Sequence, residues 1–182
     1  MTASSIWLLP GWQNSDAPHW QSRWEAVHGD HRVEQHDWMR PLRGDWQARL
    51  EDALLAAPTP VTLVAHSLGC ILVAAWAAHS RHTAKVRAAL LVAPGDLERD
   101  DLRQMIPGWA PIVRHPLPFP SILVAASDDP YCAQDRSRQM AADWGARFVD
   151  AGPGGHLNGE SGLGDWPEGR KLLNELLEEK KD

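Results

Sequence analysis

Five residues in the middle of the chain, Ala65-His66-Ser67-Leu68-Gly69, carry a pattern that could do chemistry: nucleophilic attack by a serine hydroxyl. A hydroxyl is a weak nucleophile until a neighbouring base takes its proton. It must also stand clear of the fold, and a strained strand-to-helix turn achieves this where small residues crowd it. Ala65 and Gly69, two positions to either side of Ser67, are small enough, with Ala65 standing where glycine is commoner. A serine in a tight turn can instead do no more than cap the following helix. The flanks favour the nucleophile. Residues 61–65 form a short, apolar, β-branched run that suits a buried parallel strand. From Cys70 the chain is rich in Ala and Leu without a breaker, as a buried helix would be.

The base and its orienting acid must come from elsewhere. A neutral imidazole can take a proton near pH 7, and a carboxylate can fix its tautomer and stabilise the imidazolium. His156, within a glycine-rich stretch at 152–164, and the pair Asp128-Asp129 are the candidates. His66 adjoins Ser67, but adjacent side chains diverge, so it is a poor choice of base. His19, His28, His31, His36, His79, His82 and His115 show no metal-ligand spacing such as His-Glu-x-x-His, and are read as surface or structural. Neither a metal nor another cofactor is expected.

The elements around these residues decide whether they can meet. Apolar runs predict strands over 6–9, 31–36, 61–65, 88–93, 121–126 and 147–150, the second of them away from the sheet centre. Helical spacing predicts helices over 20–27, 46–57, about 97–105, 133–144 and 167–180, besides the one after Ser67. Ser15 or Asp16 would cap the first, and Asp45 the second. Strands alternating with helices imply an α/β fold: a mostly parallel six-stranded sheet covered on both faces. Loops leaving the carboxyl ends of such strands share one edge, where ligands bind. Ser67 leaves the third strand, Asp128-Asp129 the fifth and His156 the sixth. That order, Ser then Asp then His, is the order found in α/β-hydrolases. Pro130 biases Asp129 towards an extended backbone, yet the residues by themselves leave Asp128 and Asp129 both open.

An oxyanion would need two backbone donors. Leu68, directly after the nucleophile and at a helix start, supplies one amide. The loop after the first strand supplies the other, where Gly11 lets the chain turn and Trp12 offers its N–H, with Gln13 as the alternative. Asn158 and Ser161, just past His156, are read as ordering their loop.

Composition narrows the class. At 182 residues, 43% hydrophobic and 23% charged, the chain is expected to form one domain over 1–182. A net charge of −6 gives no electrostatic reason for nucleic acid or an acidic membrane as partner. No apolar run approaches a membrane span, and the first residues, which lack Lys and Arg, do not resemble a signal peptide. Two cysteines, Cys70 and Cys132, offer no disulfide framework, so a reducing, cytoplasmic compartment is expected. Ten tryptophans stand against one tyrosine and two phenylalanines; Trp12 and Trp109 could wall a shallow site, though ordinary core packing is the commoner role for each.

With these residues in hand, the chain resembles the small serine hydrolases related to retinoblastoma-binding protein 9, in particular their bacterial branch. The resemblance spans nearly the whole chain. It rests on Pro10-Gly11-Trp12-Gln13-Asn14-Ser15, His19-Trp20-Gln21-Ser22-Arg23-Trp24, His66-Ser67-Leu68-Gly69, Ser127-Asp128-Asp129-Pro130-Tyr131 and Gly155-His156-Leu157-Asn158. The run Ser161-Gly162-Leu163-Gly164-Asp165-Trp166-Pro167 is similar to the bacterial members. The resemblance implies a compact α/β-hydrolase fold without a large lid, and a triad of Ser67, Asp129 and His156. The retinoblastoma partner does not carry over, because Leu68-Gly69-Cys70-Ile71-Leu72 lacks the Glu of Leu-x-Cys-x-Glu.

The function expected is hydrolysis of small uncharged esters or related acyl compounds through an acyl-enzyme. Only the segment 94–120, with six prolines, could hold a cap, and it is too short for a full cap domain. Acyl transfer by the same triad, or a binding module on a hydrolase scaffold, are the alternatives.

Overall fold

Side chains along each strand go alternately to two cores, because the strand repeat is two residues. In β1 (Ile6–Leu9), Trp7 and Leu9 join one core while Ile6 and Leu8 join the other. The computed structural model describes residues 5–178. With β2 (His31–Arg32), β3 (Val61–His66), β4 (Val86–Val92), β5 (Ser121–Ala125) and β6 (Arg147–Asp150), it forms a parallel sheet in the order β2-β1-β3-β4-β5-β6. The central strands are apolar on both faces, so both must be covered.

Six α-helices cover them among the described residues: α1 (Trp20–His28), α2 (Arg43–Ala56), α3 (Leu68–His79), α4 (Asp100–Met105), α5 (Gln134–Trp144) and α6 (Pro167–Glu178). Trp20 and Trp24 of α1 and Leu173 and Leu176 of α6 pack on one face, with Leu8, Val64 and Leu90. Trp46, Leu50 and Leu54 of α2, Ile71 and Trp76 of α3, and Met140 and Trp144 of α5 pack on the other. Every residue of α3 from Leu68 to Trp76 is buried, which explains its uninterrupted apolar sequence. No described helix is long and apolar enough to cross a membrane.

The strand order reverses between β1 and β3. Loops leaving those two strands therefore part around a crevice at the carboxyl edge of the sheet. Gly11 follows β1 and Ser67 follows β3, so the suspected nucleophile stands at that switch point.

Several boundaries differ from the sequence expectation, each for a local reason. Helix α1 is capped by His19, whose Nδ1 accepts the Gln21 N–H at 3.1 Å, and not by Ser15 or Asp16. The chain makes a turn first, with the Asp16 carbonyl accepting the His19 N–H at 3.1 Å. Helix α2 begins at Arg43, before Asp45, so that Asp45 lies in its first turn and meets the dipole there. Strand β2 is two residues long because it is an edge strand whose chain departs once Val33 N–H has reached the Leu8 carbonyl, at 3.0 Å. Helix α4 starts at Asp100, since a turn closed by Arg99 N–H on the Asp96 carbonyl occupies 96–99. The expected last helical residues, 179–180, lie outside the described residues.

Candidate active site

Ser67 has φ 55° and ψ −120°, a strained backbone for a residue with a side chain. Neighbouring strands impose it. The Ser67 N–H donates to the Val92 carbonyl at 2.9 Å, while β1 and its loop press in from the other side. A Cβ on Gly11 would lie 2.9 Å from Ser67 Cβ and 3.2 Å from Leu68 N; one on Gly69 would overlap the Leu9 carbonyl oxygen. Both glycines are there because backbones approach too closely for any side chain.

The two partners expected of Ser67 arrive from β5 and β6. His156 Nε2 lies 2.8 Å from Ser67 Oγ, and its Nδ1 lies 2.9 Å from Asp129 Oδ2 and 3.1 Å from Oδ1. An ionised carboxylate only accepts, so Nδ1 carries the imidazole proton and Nε2 is left to accept from the serine hydroxyl. The Asp129 side chain is 1% exposed and that of His156 10%. Asp129 also accepts the Tyr131 N–H at 2.9 Å, which fixes its carboxylate in place. Asp128 turns the other way and takes the amides of Gly154 and Gly155, both at 2.8 Å. Those two bonds hold its carboxyl below the usual range.

The amide of Leu68 opens α3 and so has no carbonyl one turn earlier to meet. Trp12 lines the same cleft, and Gly11 before it touches Ser67 and Leu68. Gln13, the alternative donor, has its N–H committed to the Trp38 carbonyl at 3.0 Å. Trp109 is not a wall of the site. It is fully buried, with its indole N–H donating to the Pro41 carbonyl at 2.7 Å.

The cleft over Ser67 has a volume of about 380 Å³. Leu97, Leu102, Met105 and Ile106, from α4 and the turns around it, make an apolar wall. Asn14, Asp16, Asn158 and Glu160 make a polar side. Asn158 caps a 3-10 turn, Gly159–Ser161, accepting the Glu160 N–H at 3.1 Å while Ser161 Oγ accepts the Asn158 N–H at 3.0 Å. Among the described residues no cluster of three or more His, Cys, Asp or Glu is arranged to hold a metal. Cys70 and Cys132 are free thiols, both buried.

Three rings outside the Ser67–His156–Asp129 run lie around the site. His66 is buried at the margin of the cleft, its Nε2 2.9 Å from the His156 carbonyl oxygen. His19 is buried beside it, and the Tyr131 ring meets His156 edge-on at 4.7 Å. For His66 the available signal was a polar ring closing an apolar strand; for Tyr131 it was its place two residues past an acid.

The geometry has counterparts in known proteins. The model of the serine hydrolase family matches residues 6–175. A YdeN-like hydrolase from Pectobacterium atrosepticum is 30% identical; 96% of this chain and 90% of that one superpose with a TM-score of 0.83. The ydeN product of B. subtilis is 18% identical, with 97% and 100% of the chains covered and a TM-score of 0.73. Esterase 2 of Thermogutta terrifontis is 18% identical, covering 98% and 84%, with a TM-score of 0.69. The last two likenesses speak for the fold. No curated protein matches the sequence. The fold is that of the α/β-hydrolases, and by a family match running from β1 into α6, the chain belongs to the serine hydrolases.

Proposed function

We propose that this hydrolase cleaves small uncharged esters or related acyl compounds through an acyl-enzyme, with Ser67, His156 and Asp129 as its triad. The observation that carries the reading is the unbroken chain from Ser67 Oγ through His156 to Asp129, with links of 2.8 Å and 2.9 Å. Ser67 Oγ attacks the acyl carbon while His156 Nε2 takes its proton. The amides of Leu68 and Trp12 receive the charge that develops on the carbonyl oxygen. The bond to the leaving alcohol breaks as His156 returns the proton to it. Water then repeats the sequence on the acyl-enzyme and frees the acid and Ser67. Asp129 keeps the imidazole in the productive tautomer and balances the imidazolium.

The cleft supports the substrate class. An aliphatic acyl chain fits the wall of Leu97, Leu102, Met105 and Ile106, whereas the carboxylates of Asp16 and Glu160 repel an anion. We place the chain in the branch resembling retinoblastoma-binding protein 9, as a single cytoplasmic domain acting on a small molecule. The test is labelling with an active-site fluorophosphonate beside an ester panel, for the parent and Ser67→Ala. Ser67→Ala should lose the label and about a million-fold in turnover. Ester hydrolysis surviving in that variant removes Ser67 as nucleophile.

A further inference from the structure

His19, the N-cap of α1, and His66, the last residue of β3, are buried at the margin of the cleft, and the triad chemistry uses neither ring. Their bonds can be followed in one direction. His19 Nδ1 accepts the Gln21 N–H at 3.1 Å, so in the neutral ring the proton is on Nε2. That nitrogen lies 3.4 Å from His66 Nδ1, which must therefore accept. The His66 proton is then on its own Nε2, 2.9 Å from the carbonyl oxygen of His156. The run begins at an amide of α1 and ends on the main chain of the suspected base, and each ring donates forward.

The next peptide is held from the same side: Trp20 Nε1 donates to the Leu157 carbonyl at 2.8 Å. Leu157 has φ 46° and is buried, so this backbone is strained and needs such support. We infer that His19 and His66 are positioning residues, a one-way hydrogen-bonded relay that fixes the His156 main chain and keeps its imidazole in line with Ser67. The inference rests on the reading of His156 as general base.

Neutrality of the relay matters for the chemistry as well. The His66 ring centroid is 4.9 Å from that of His156, where a second cation would oppose formation of the imidazolium. Protonating His66 would also set donor against donor at the His19–His66 contact, and protonating His19 would do so at its Nδ1, against the Gln21 N–H. Burial, then Arg32 on β2, then His156 push His19 down to about 3. Burial, then His19 and His156, push His66 well below its ordinary value. In His66 the hydrogen bond to the His156 carbonyl acts the other way, and burial outweighs it.

Two measurements test it. In the intact protein, nitrogen-15 NMR of labelled histidine should show both rings neutral, protonated on Nε2, from about pH 8 to about pH 5. A His66 ring protonated on Nδ1, or titrating within that range, overturns the relay. In kinetics, His66→Gln keeps a donor near the Nε2 position, while His66→Asn is too short to reach the His156 carbonyl. His66→Asn should lose about 100-fold in kcat with KM unchanged, and His66→Gln should recover most of it. Equal losses in the two variants, or losses that follow their melting temperatures, overturn the positioning role. Should His66→Asn not fold, the NMR result decides. Failure of the base assignment is separable, because it would show as undiminished fluorophosphonate labelling in His156→Ala with the tautomers unchanged.

Discussion

Residue by residue, the site depends on which way consecutive side chains point. Asp128 and Asp129 are neighbours with the same chemistry, yet Asp129 meets His156 Nδ1 and Asp128 meets the amides of Gly154 and Gly155. Asp129→Asn should therefore leave the fold intact and lower kcat by about ten-thousand-fold, because an amide facing Nδ1 no longer enforces the tautomer. Asp128→Asn should cost far less, since an amide oxygen still accepts two N–H groups. Both variants, assayed on one activated ester after their melting curves are shown to match the parent, settle the assignment. A larger loss at Asp128 would transfer the role of acid to it. Strand order could bring this pair to the right edge of the sheet, but only the family resemblance chose between them, because two bonds from distant glycines decide the direction of Asp128.

Among the elements, the junction of β1, β3 and α3 holds Ser67, the proposed nucleophile. Gly69 lets the first turn of α3 lie directly on the end of β1, where a methyl group would overlap the Leu9 carbonyl oxygen. Gly69→Ala must push backbone against backbone, so a loss of about 1–3 kcal/mol in unfolding free energy is expected, measurable by denaturant titration. Gly11→Ala presses instead on Ser67 Cβ and Leu68 N, at 2.9 Å and 3.2 Å. Its effect should fall on kcat more than on stability, and an undisturbed kcat would remove this loop from the site. The elements themselves were legible from short apolar runs and glycine or proline breaks: β6 and the start of α6 fall where periodicity puts them. What escaped was capping and burial. A histidine as N-cap of α1 is not a pattern that residue preferences favour. Trp109 reads alike as a pocket wall or as core, and its partner is the carbonyl of Pro41, 68 residues away. The cleft wall from Leu97 to Ile106 falls in and around a helix that spacing did predict, but spacing does not say that its apolar side borders a cleft.

Across the whole molecule, the sheet gathers its chemistry at one edge and leaves two histidines buried behind it, which couples acid stability to the architecture of the site. A histidine in the unfolded chain binds a proton near pH 6.5. In the folded protein burial, then Arg32 and His156, hold His19 down to about 3, and burial foremost holds His66 well below its ordinary value. Below about pH 6.5 the unfolded state thus binds more protons than the native one, and stability must fall as pH falls. The contribution is complete above the unfolded value and is lost progressively on the way down to the folded one. Each such histidine contributes up to about 1.4 kcal/mol per pH unit in this window, whose upper part, from about pH 6.5 to about pH 5, lies above the range where most carboxylates titrate. Urea unfolding at about pH 7 and about pH 5 should therefore show a clear loss at the lower pH. His66→Gln removes one of the two proton sites, so its loss over the same interval should be about half that of the parent. A parent stability that stays flat across the interval would mean that the buried pair takes up protons while folded. The native site would then hold a cation next to His156, and the hydrogen-bonded run from α1 could not be the neutral support inferred for it.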